Sequence, residues 1–521
     1  MRFFSPDSLH INTKNFKSIF DFITEGKHEF DQHIKDARII ANYGNYTDFP
    51  LEASAQLEQY KQYNKELLYT AQIDGVNLFK LCQLELLSYV FAITPHKDHP
   101  TFYTFEDIFN YCHNEHKEIL IRNIAMAAYW YHYWKRFLLN APKYDFALIF
   151  SGSLSYTRAL IEQLKTTSTR VFILETFFTG NDFYCEETFE AIPNNSQIKS
   201  ENYYNQLLKL TDTSHKEKTK ALNKIQLGCN LNVKQPPRKN APLFKNKRRT
   251  ILILGQVAND FSLINGQGGA ISSISLYTKL IQKILDQSDF NIVFKAHPWE
   301  LKKTNMKANV TADEIQRRFA NEQRLCVVSD FNIDELFDNA DSVVTINSQS
   351  GIEAAWQGFK PITLGLPFYG HKGFSTDFHP SNIDAAIDFI AKSPNDNFNL
   401  TLQEYDKFET FLTVILQGQL ISKHPSGLAK LRTLFSALSA VTYQSNPIKS
   451  PQREPKITHS TESTQNREAI SEEKAISEDK RNSTELTPFQ RKLRKFKRSP
   501  KRFFADSKHK WMRPLAHFFR A

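Results

Sequence analysis

The chain has 521 residues, 41% of them hydrophobic, and a formal net charge of +10; this is enough apolar material for two or three packed domains and excludes disorder throughout. The charge is not evenly spread. Residues 487–521 hold twelve Lys/Arg against the single acid Asp506, so the remainder is close to neutral and offers no basic face for tracking a nucleic-acid backbone. Five scattered cysteines without a CxxC pair fit a reducing compartment better than a disulfide framework. No secretory h-region is legible at the N-terminus, and the apolar run from Ile119 to Leu139 is broken by Arg122, Asn123, His132, Lys135 and Arg136, so neither a signal peptide nor a membrane span is expected and the cytoplasm is the default location.

In chain order, Phe16 to Leu139 is mostly helical in pattern, with Phe105 to Leu139 reading as one or two amphipathic helices that stop before Pro142. The texture then changes. Asp145 to Phe150 is a short apolar strand, Ser151 to Ser153 a tight turn, Tyr156 to Lys165 a helix and Arg170 to Leu174 a second strand, which together make a βαβ unit. A Lys-rich polar stretch from Asn232 to Arg249, with Pro236 and Pro237, marks a connector. Beyond it Thr250 to Leu254 restarts the alternation, followed by a helix from Ser272 to Leu285 and strands at Asn291 to Lys295, Leu325 to Val328, Ser342 to Ile346 and Pro361 to Leu364. Short strands alternating with helices predict an α/β fold of GT-B type, two Rossmann-like lobes with a cleft between them. The expected division is 1–240 as an N-terminal lobe whose helical region precedes the βα units, on the acceptor side, and 245–441 as the C-terminal nucleotide-binding lobe. Residues 442–486, Ser/Thr/Glu/Lys-rich and nearly free of aromatics, read as a disordered linker, and 487–521 as a basic amphipathic tail.

Three polar loops follow apolar strands of the second lobe: Gly255 to Asp260, Lys295 to Pro298, and Asn347 to Gly351. Polar loops at strand ends are where α/β folds place ligands. Taken alone, Asp260 also suits a helix cap and His297 a turn before Pro298. In the third loop Ser348 and Ser350 precede Gly351 and a helix, so hydroxyls, backbone N–H groups and a helix start are expected to form a phosphate seat. Glu353 in the first helical turn is placed to accept from ribose hydroxyls, or serves as a favourable N-terminal charge. His297 and Lys295 are expected to donate to the phosphate, stabilising charge on a departing group. There is no DxD-type pair and no Cys/His grouping of ligand spacing in this lobe, so a monophosphate leaving group without a metal is expected. Cys112, His113 and His116 read as a helix face rather than a metal site.

In order and spacing, Gly255-Gln-Val-Ala-Asn-Asp-Phe-Ser262, Phe294-Lys-Ala-His-Pro298, and Thr345-Ile-Asn-Ser-Gln-Ser-Gly-Ile-Glu-Ala354 running into Gly365-Leu-Pro-Phe-Tyr-Gly370 and Gly373 resemble the capsule polysaccharide biosynthesis Kdo-transferase family, bacterial retaining β-Kdo glycosyltransferases. The resemblance covers about residues 245–380 and, more weakly, 145–190. It implies a GT-B enzyme that binds CMP-β-Kdo through Gln256, Lys295, Pro298, Ser348, Ser350, Gly351 and Glu353, with His297 at the nucleotide phosphate and no metal or other cofactor. It further implies double displacement, in which Asp260 attacks the anomeric carbon and a first-lobe group activates the acceptor hydroxyl. Glu175 matches the glutamate of a family Glu-Asp-Gly-Phe motif, although this chain reads Glu175-Thr-Phe-Phe178; Glu186 and Glu187 are the alternatives. Ser151, Ser153 and Arg158 suit either the sugar carboxylate and acceptor or capping and packing.

The tail interleaves Phe489, Leu493, Phe496, Phe503 and Phe504 with eight Lys/Arg between Arg491 and Arg502, a pattern that suits an anionic inner-membrane surface, where each cation contributes ~1 kcal/mol. The implied partners are thus a CMP-sugar donor, an oligosaccharide or lipid-linked acceptor, the inner face of the cytoplasmic membrane and capsule-assembly proteins, with no nucleic acid. Two other readings stay open: another CMP-releasing enzyme (a sialyltransferase or a CDP-polyol phosphotransferase), and a non-catalytic module recruited to the membrane by its tail.

Overall fold

Strands whose successive side chains are all apolar must be covered on both faces, and this requirement shapes both halves of the molecule. The computed structural model describes residues 1–35, 51–228, 235–239, 242–265, 269–302 and 310–436; the expected linker 442–486 and tail 487–521 lie outside them. The first lobe contains strands β1 (Arg2–Asp7), β2 (Glu29–Ile34), β3 (Phe146–Phe150), β4 (Arg170–Thr176) and β5 (Asp182–Glu187). Phe3, Phe146, Leu148 and Phe172 face one core with Ile19 and Phe22 of the helix Thr13–Glu25. Their neighbours Phe4, Ala147, Ile149, Val171 and Ile173 face the other, which is filled by the helices Leu78–Ile93, Lys117–Asn140 and Ser155–Leu164. The pleat sends alternate residues to opposite faces.

The helical start expected for the first lobe is incomplete. β1 lies at the heart of the sheet, between β2 and β3 and parallel to both. A run as short as Arg2-Phe-Phe-Ser has no sequence period of its own; pairing with Phe146 and Ala147 makes it a strand. The 105–139 segment forms two helices, Phe105–Glu115 and Lys117–Asn140, parted at His116.

The second lobe is a parallel sheet in the order β8-β7-β6-β9-β10-β11, with β6 Thr250–Leu254, β7 Asn291–Lys295, β8 Leu325–Val328, β9 Ser342–Thr345, β10 Ile362–Thr363 and β11 Thr376–Asp377. Ile251 and Ile253 pack under the helix Ser273–Gln287, while Leu252 and Leu254 pack on the opposite face. The register pairs Leu254 with Lys295 on one side and with Thr345 on the other, so three strands end side by side and their loops start at one edge.

The chain then returns to the first lobe. β12 (Ile421–Ser422) pairs antiparallel with β5, completing the order β12-β5-β4-β3-β1-β2, and the helix Leu428–Ser436 puts Leu431 and Phe435 into the first-lobe core. Residues after about 420 therefore belong spatially to the first lobe, although the sequence division assigned 245–441 to the second. The lobes also touch directly: Phe102 and Ala270 exchange backbone hydrogen bonds of 2.9 and 3.0 Å, and the Ser88 hydroxyl donates to the Asn259 carbonyl at 2.9 Å.

Candidate functional site

The three second-lobe loops are tied to one another by buried polar side chains. Gln256 Nε2 donates to Asn347 Oδ1 at 2.5 Å and to Ser262 Oγ at 2.6 Å, and Asn347 Nδ2 donates to the Ser262 carbonyl at 2.8 Å. Glu300, fully buried just past the His-Pro turn, accepts from the backbone N–H of Ala258 and of Thr311 at 3.2 Å each. Gln256 thus joins the first loop to the third, and Glu300 joins it to the second. Gln256, expected to touch a donor, is instead a strut. Gly255 is required by close passage: its N–H meets the Lys295 carbonyl at 2.8 Å, and a Cβ there would lie 2.7 Å from the same oxygen.

Asp260 is half-buried at the first-loop tip, where its Oδ1 accepts from the Ser262 N–H at 2.9 Å and caps a short 3-10 turn. His297 Nδ1 accepts from the Trp299 N–H at 3.2 Å, an arrangement that leaves the proton of a neutral ring on Nε2. Pro298 opens a short 3-10 turn. Lys295 turns away from the third loop: its ammonium donates to the Ser329 carbonyl beyond β8, and burial lowers it to about 8.

The third loop is more self-contained than its sequence suggests. The N–H groups of Ser348, Ser350 and Gly351 bond to Thr345 Oγ1, Ser348 Oγ and the Ser348 carbonyl, because the seven-residue helix Ser350–Trp356 begins from a tight turn. Gly351 is there for packing, since a Cβ would lie 2.0 Å from the hydroxyl of Tyr369, which itself donates to the Ser348 carbonyl at 2.7 Å. What this loop offers a ligand is mainly the Ser348 and Ser350 hydroxyls and Glu353. Burial pushes the Glu353 carboxyl up to about 7, with Asp334 adding to the rise and a hydrogen bond from Ser350 opposing it.

From the first lobe, Glu175 stands near the end of β4 with Oε1 accepting from the Thr176 N–H at 2.9 Å. Burial pushes its carboxyl up to about 7; the charge of Asp260 adds to the rise, while Thr176 and His10 pull it down. The charge of Asp260 thus reaches Glu175 across the lobe boundary. Gln349 crosses the same boundary, its Oε1 accepting from the Phe178 N–H at 3.1 Å. The alternatives to Glu175 are otherwise engaged. In the antiparallel register Glu175 pairs with Tyr184 near the mouth, whereas Glu186 and Glu187 pair with Ile173 and Phe172 further down the strand. Glu186 accepts from Ser196, Gln197 and Gln419, and Glu187 pairs with Arg170 at 2.7 Å. Arg158 is a clip, bonded to the Phe189 carbonyl at 2.6 Å and facing Glu162, and Ser151 Oγ donates to Ser153 Oγ at 2.9 Å.

Sequence reasoning missed two groups here. Asp7, His10 and Tyr156 cluster at the end of β1, and the legible signal was Asp-x-x-His after the short run Phe3-Phe-Ser-Pro6. A cavity of about 210 Å³ opens between the lobes beside Ser262, bordered by Tyr103, Lys199, Leu366 and His379, with the Lys199 ammonium lowered by burial to about 8. Among the described residues no cluster of three or more His, Cys, Asp or Glu could hold a metal, and no helix is long and apolar enough to cross a membrane.

Residues 181–399 match the family model described as capsule polysaccharide biosynthesis protein. The lipopolysaccharide-processing protein LpsZ of Rhizobium meliloti is 25% identical over 165 residues, 31% of this chain and 33% of that protein. The capsule polysaccharide modification protein LipA of Neisseria meningitidis serogroup A is 27% identical over 168 residues, 32% of this chain and 22% of that protein. The chain thus spans a third of the first relative's length and under a quarter of the second's. Among solved structures, two of KpsC from Thermosulfurimonas dismutans superpose weakly. The β-Kdo 2,4 transferase covers 51% of this chain and 79% of its own at 16% identity with a TM-score of 0.36, and the β-Kdo 2,7 transferase covers 58% and 88% at 19% identity with a TM-score of 0.33. Superpositions this weak bear on neither fold nor function. The loops carrying Asp260, His297 and Ser350 all fall inside the segment that matches the capsule polysaccharide biosynthesis model.

Proposed function

We propose that the protein is a glycosyltransferase that moves Kdo from CMP-β-Kdo to a glycan or lipid-linked acceptor during synthesis of a capsule or related surface polysaccharide, with retention through double displacement. The observation that supports this reading is that the loops bearing Asp260, His297 and Ser350 start at one edge of the second-lobe sheet, knit together by Gln256 and Glu300, with Gln349 of the third loop bonded across to Phe178, three residues past Glu175 of the first lobe. Asp260, its carboxylate held by the Ser262 N–H, attacks the anomeric carbon, and CMP departs toward His297 Nε2 and the Ser348 and Ser350 hydroxyls. Glu353 receives the ribose hydroxyls. A carboxyl titrating near neutrality, as Glu175 does, then takes the acceptor proton as the acceptor oxygen displaces Asp260. The cavity bordered by Tyr103 and Lys199 is the natural acceptor side. Reaction at the inner face of the cytoplasmic membrane, reached through the basic tail 487–521, completes the proposal.

The test is release of CMP from CMP-Kdo by the purified full chain, with product mass measured on candidate acceptors. Asp260→Ala should abolish transfer while CMP still binds. An Asp260→Ala chain that transfers at the wild-type rate would refute the nucleophile, and turnover confined to CMP-sialic acid or CDP-glycerol would refute the donor.

A further inference from the structure

Asp260 stands on a seam between the lobes. The residues before it are held by the second lobe, with Gln256 bonded to Asn347 and Ser262, and the Ala258 N–H bonded to Glu300. The residues after it lie against the first-lobe helix Leu78–Ile93. Ile264 and Ala270 are buried in the same core cluster as Leu84, Leu87 and Phe91 of that helix, and Phe261 packs against it. At the changeover is Asn259, fully buried, whose carbonyl accepts from the hydroxyl of the equally buried Ser88 at 2.9 Å.

Ser88 occupies a helical position that packing alone would give to alanine, the better helix former. Its neighbours Leu84, Leu87, Phe91 and Ala92 are all buried. A buried helical serine commonly donates to the carbonyl four residues back; this one reaches a carbonyl 171 residues along the chain, in the other lobe. The reach starts from a fixed base. Glu85, one turn earlier and on the same helix face, is buried too, and its Oε2 accepts from the Ser155 N–H at 2.8 Å, just past the turn that follows β3.

The Asn259 carbonyl and the Asp260 N–H are the two ends of one planar peptide group. The N–H end bonds to the Val257 carbonyl at 3.1 Å, and the carbonyl end bonds to Ser88. Gripped at both ends, that plane cannot tilt, and the Asp260 carboxylate, tied to the Ser262 N–H at 2.9 Å, is presented from a fixed Cα. Without the Ser88 hydroxyl only the second lobe would hold the plane.

We propose that Ser88 is a positioning residue for Asp260, gripping the peptide ahead of it so that docking of the first lobe aligns the carboxylate for attack. This rests on the double-displacement reading above. In the first displacement an Asp260 carboxylate oxygen bonds the anomeric carbon while the bond from that carbon to the CMP phosphate breaks, its electron pair leaving with the phosphate. A carboxylate shifted by a fraction of an ångström attacks more slowly, whereas CMP, seated against the second and third loops, binds as before.

The experiment uses the full chain and rapid-quench measurement of CMP release from CMP-Kdo. Ser88→Thr and Ser88→Val are close in volume and differ in the hydroxyl, so the pair separates the hydrogen bond from packing. Ser88→Val and Ser88→Ala should release CMP on the order of 10- to 10²-fold more slowly at saturating CMP-Kdo, with half-saturation and the calorimetric affinity for CMP within about twofold of wild type. Ser88→Thr should recover most of the rate, and amides of residues 255–263 should exchange with solvent faster in Ser88→Val than in Ser88→Thr. Arg318→Gln, which removes the Arg318–Asp98 ion pair elsewhere between the lobes, should release CMP at the wild-type rate. Equal rates in Ser88→Thr and Ser88→Val overturn the proposal, as does a loss confined to CMP-Kdo binding. An equal slowing in Arg318→Gln would mark general loosening of the lobes and overturns it too. A wild-type chain that releases no CMP from CMP-Kdo, or release that survives Asp260→Ala, overturns the double-displacement reading and this proposal with it.

Discussion

Gln256 fixes the mouth of the second lobe, and its replacement by methionine isolates that role because the volume is nearly kept while both polar ends are lost. The wild-type amide donates to Asn347 Oδ1 and Ser262 Oγ and accepts from the Asn347 N–H at 3.4 Å, and both Gln256 and Asn347 are buried. At roughly 1 kcal/mol net for each bond, and more where a buried partner is left stranded, the loss comes to about 3 kcal/mol. Urea titration of Gln256→Met against wild type measures it, and calorimetric titration with CMP should show affinity falling by roughly tenfold, since about 1.4 kcal/mol of loop ordering would then oppose binding. Asn347→Leu should be costly for the same reason. The double variant should lose less than the two single losses added, with a coupling of about 1–2 kcal/mol. Strictly additive losses, or a methionine variant as stable as wild type, would refute the idea that this amide joins the first loop to the third.

Glu175→Gln should lower acceptor-dependent turnover by roughly 10²- to 10⁴-fold with CMP affinity unchanged. Because the base must be ionised and its carboxyl is raised to about 7, wild-type turnover should climb with pH up to about 7 and then level; a flat profile from about pH 5 to 8 would argue against it. The Glu353 carboxyl is raised from 4.5 to about 7 in the folded chain, so the native state holds the proton more tightly than the unfolded one and loses stability as pH rises through that window. Glu353→Gln should therefore stabilise the chain on the order of 3 kcal/mol above about pH 7 and have little effect near pH 4, a contrast that urea titrations at the two pH values would reveal or deny. Gly351→Ala should lower the melting temperature at a cost of about 2–3 kcal/mol, because its methyl group would collide with the Tyr369 hydroxyl and break the bond to Ser348. Tyr369→Phe in the same chain should recover part of the loss, and no recovery would point to another cause.

The second lobe was largely legible because its strands are short, apolar and flanked by turn residues, and each such run is followed closely by a polar loop. Thr250 to Leu254, Asn291 to Lys295 and Leu325 to Val328 come out as strands with the boundaries read from sequence, since a strand buried on both faces must be continuously apolar. Sequence order also named Asp260, His297 and Ser350 as strand-end residues. It could not say how their side chains would be spent. That Gln256 is a strut, that Lys295 turns to Ser329 and that the N–H groups of Ser348 and Ser350 close their own turn are decided by distances between segments far apart in the chain.

The first lobe shows the opposite balance. Arg2–Asp7 becomes a central strand only because Phe146 and Ala147 arrive beside Phe3 and Phe4 from far along the chain, and with it come Asp7 and His10 at the strand end. That Glu175 stands near the mouth while Glu186 and Glu187 lie further down the strand likewise rests on antiparallel register. Residue type and spacing determined that two βα lobes would form and which loops would sit at strand ends, because apolar periodicity is a local property of the chain. Which of those groups face one another across the lobe boundary was settled by strand order and register alone, since the free energy of pairing and burial is collected only when distant segments meet.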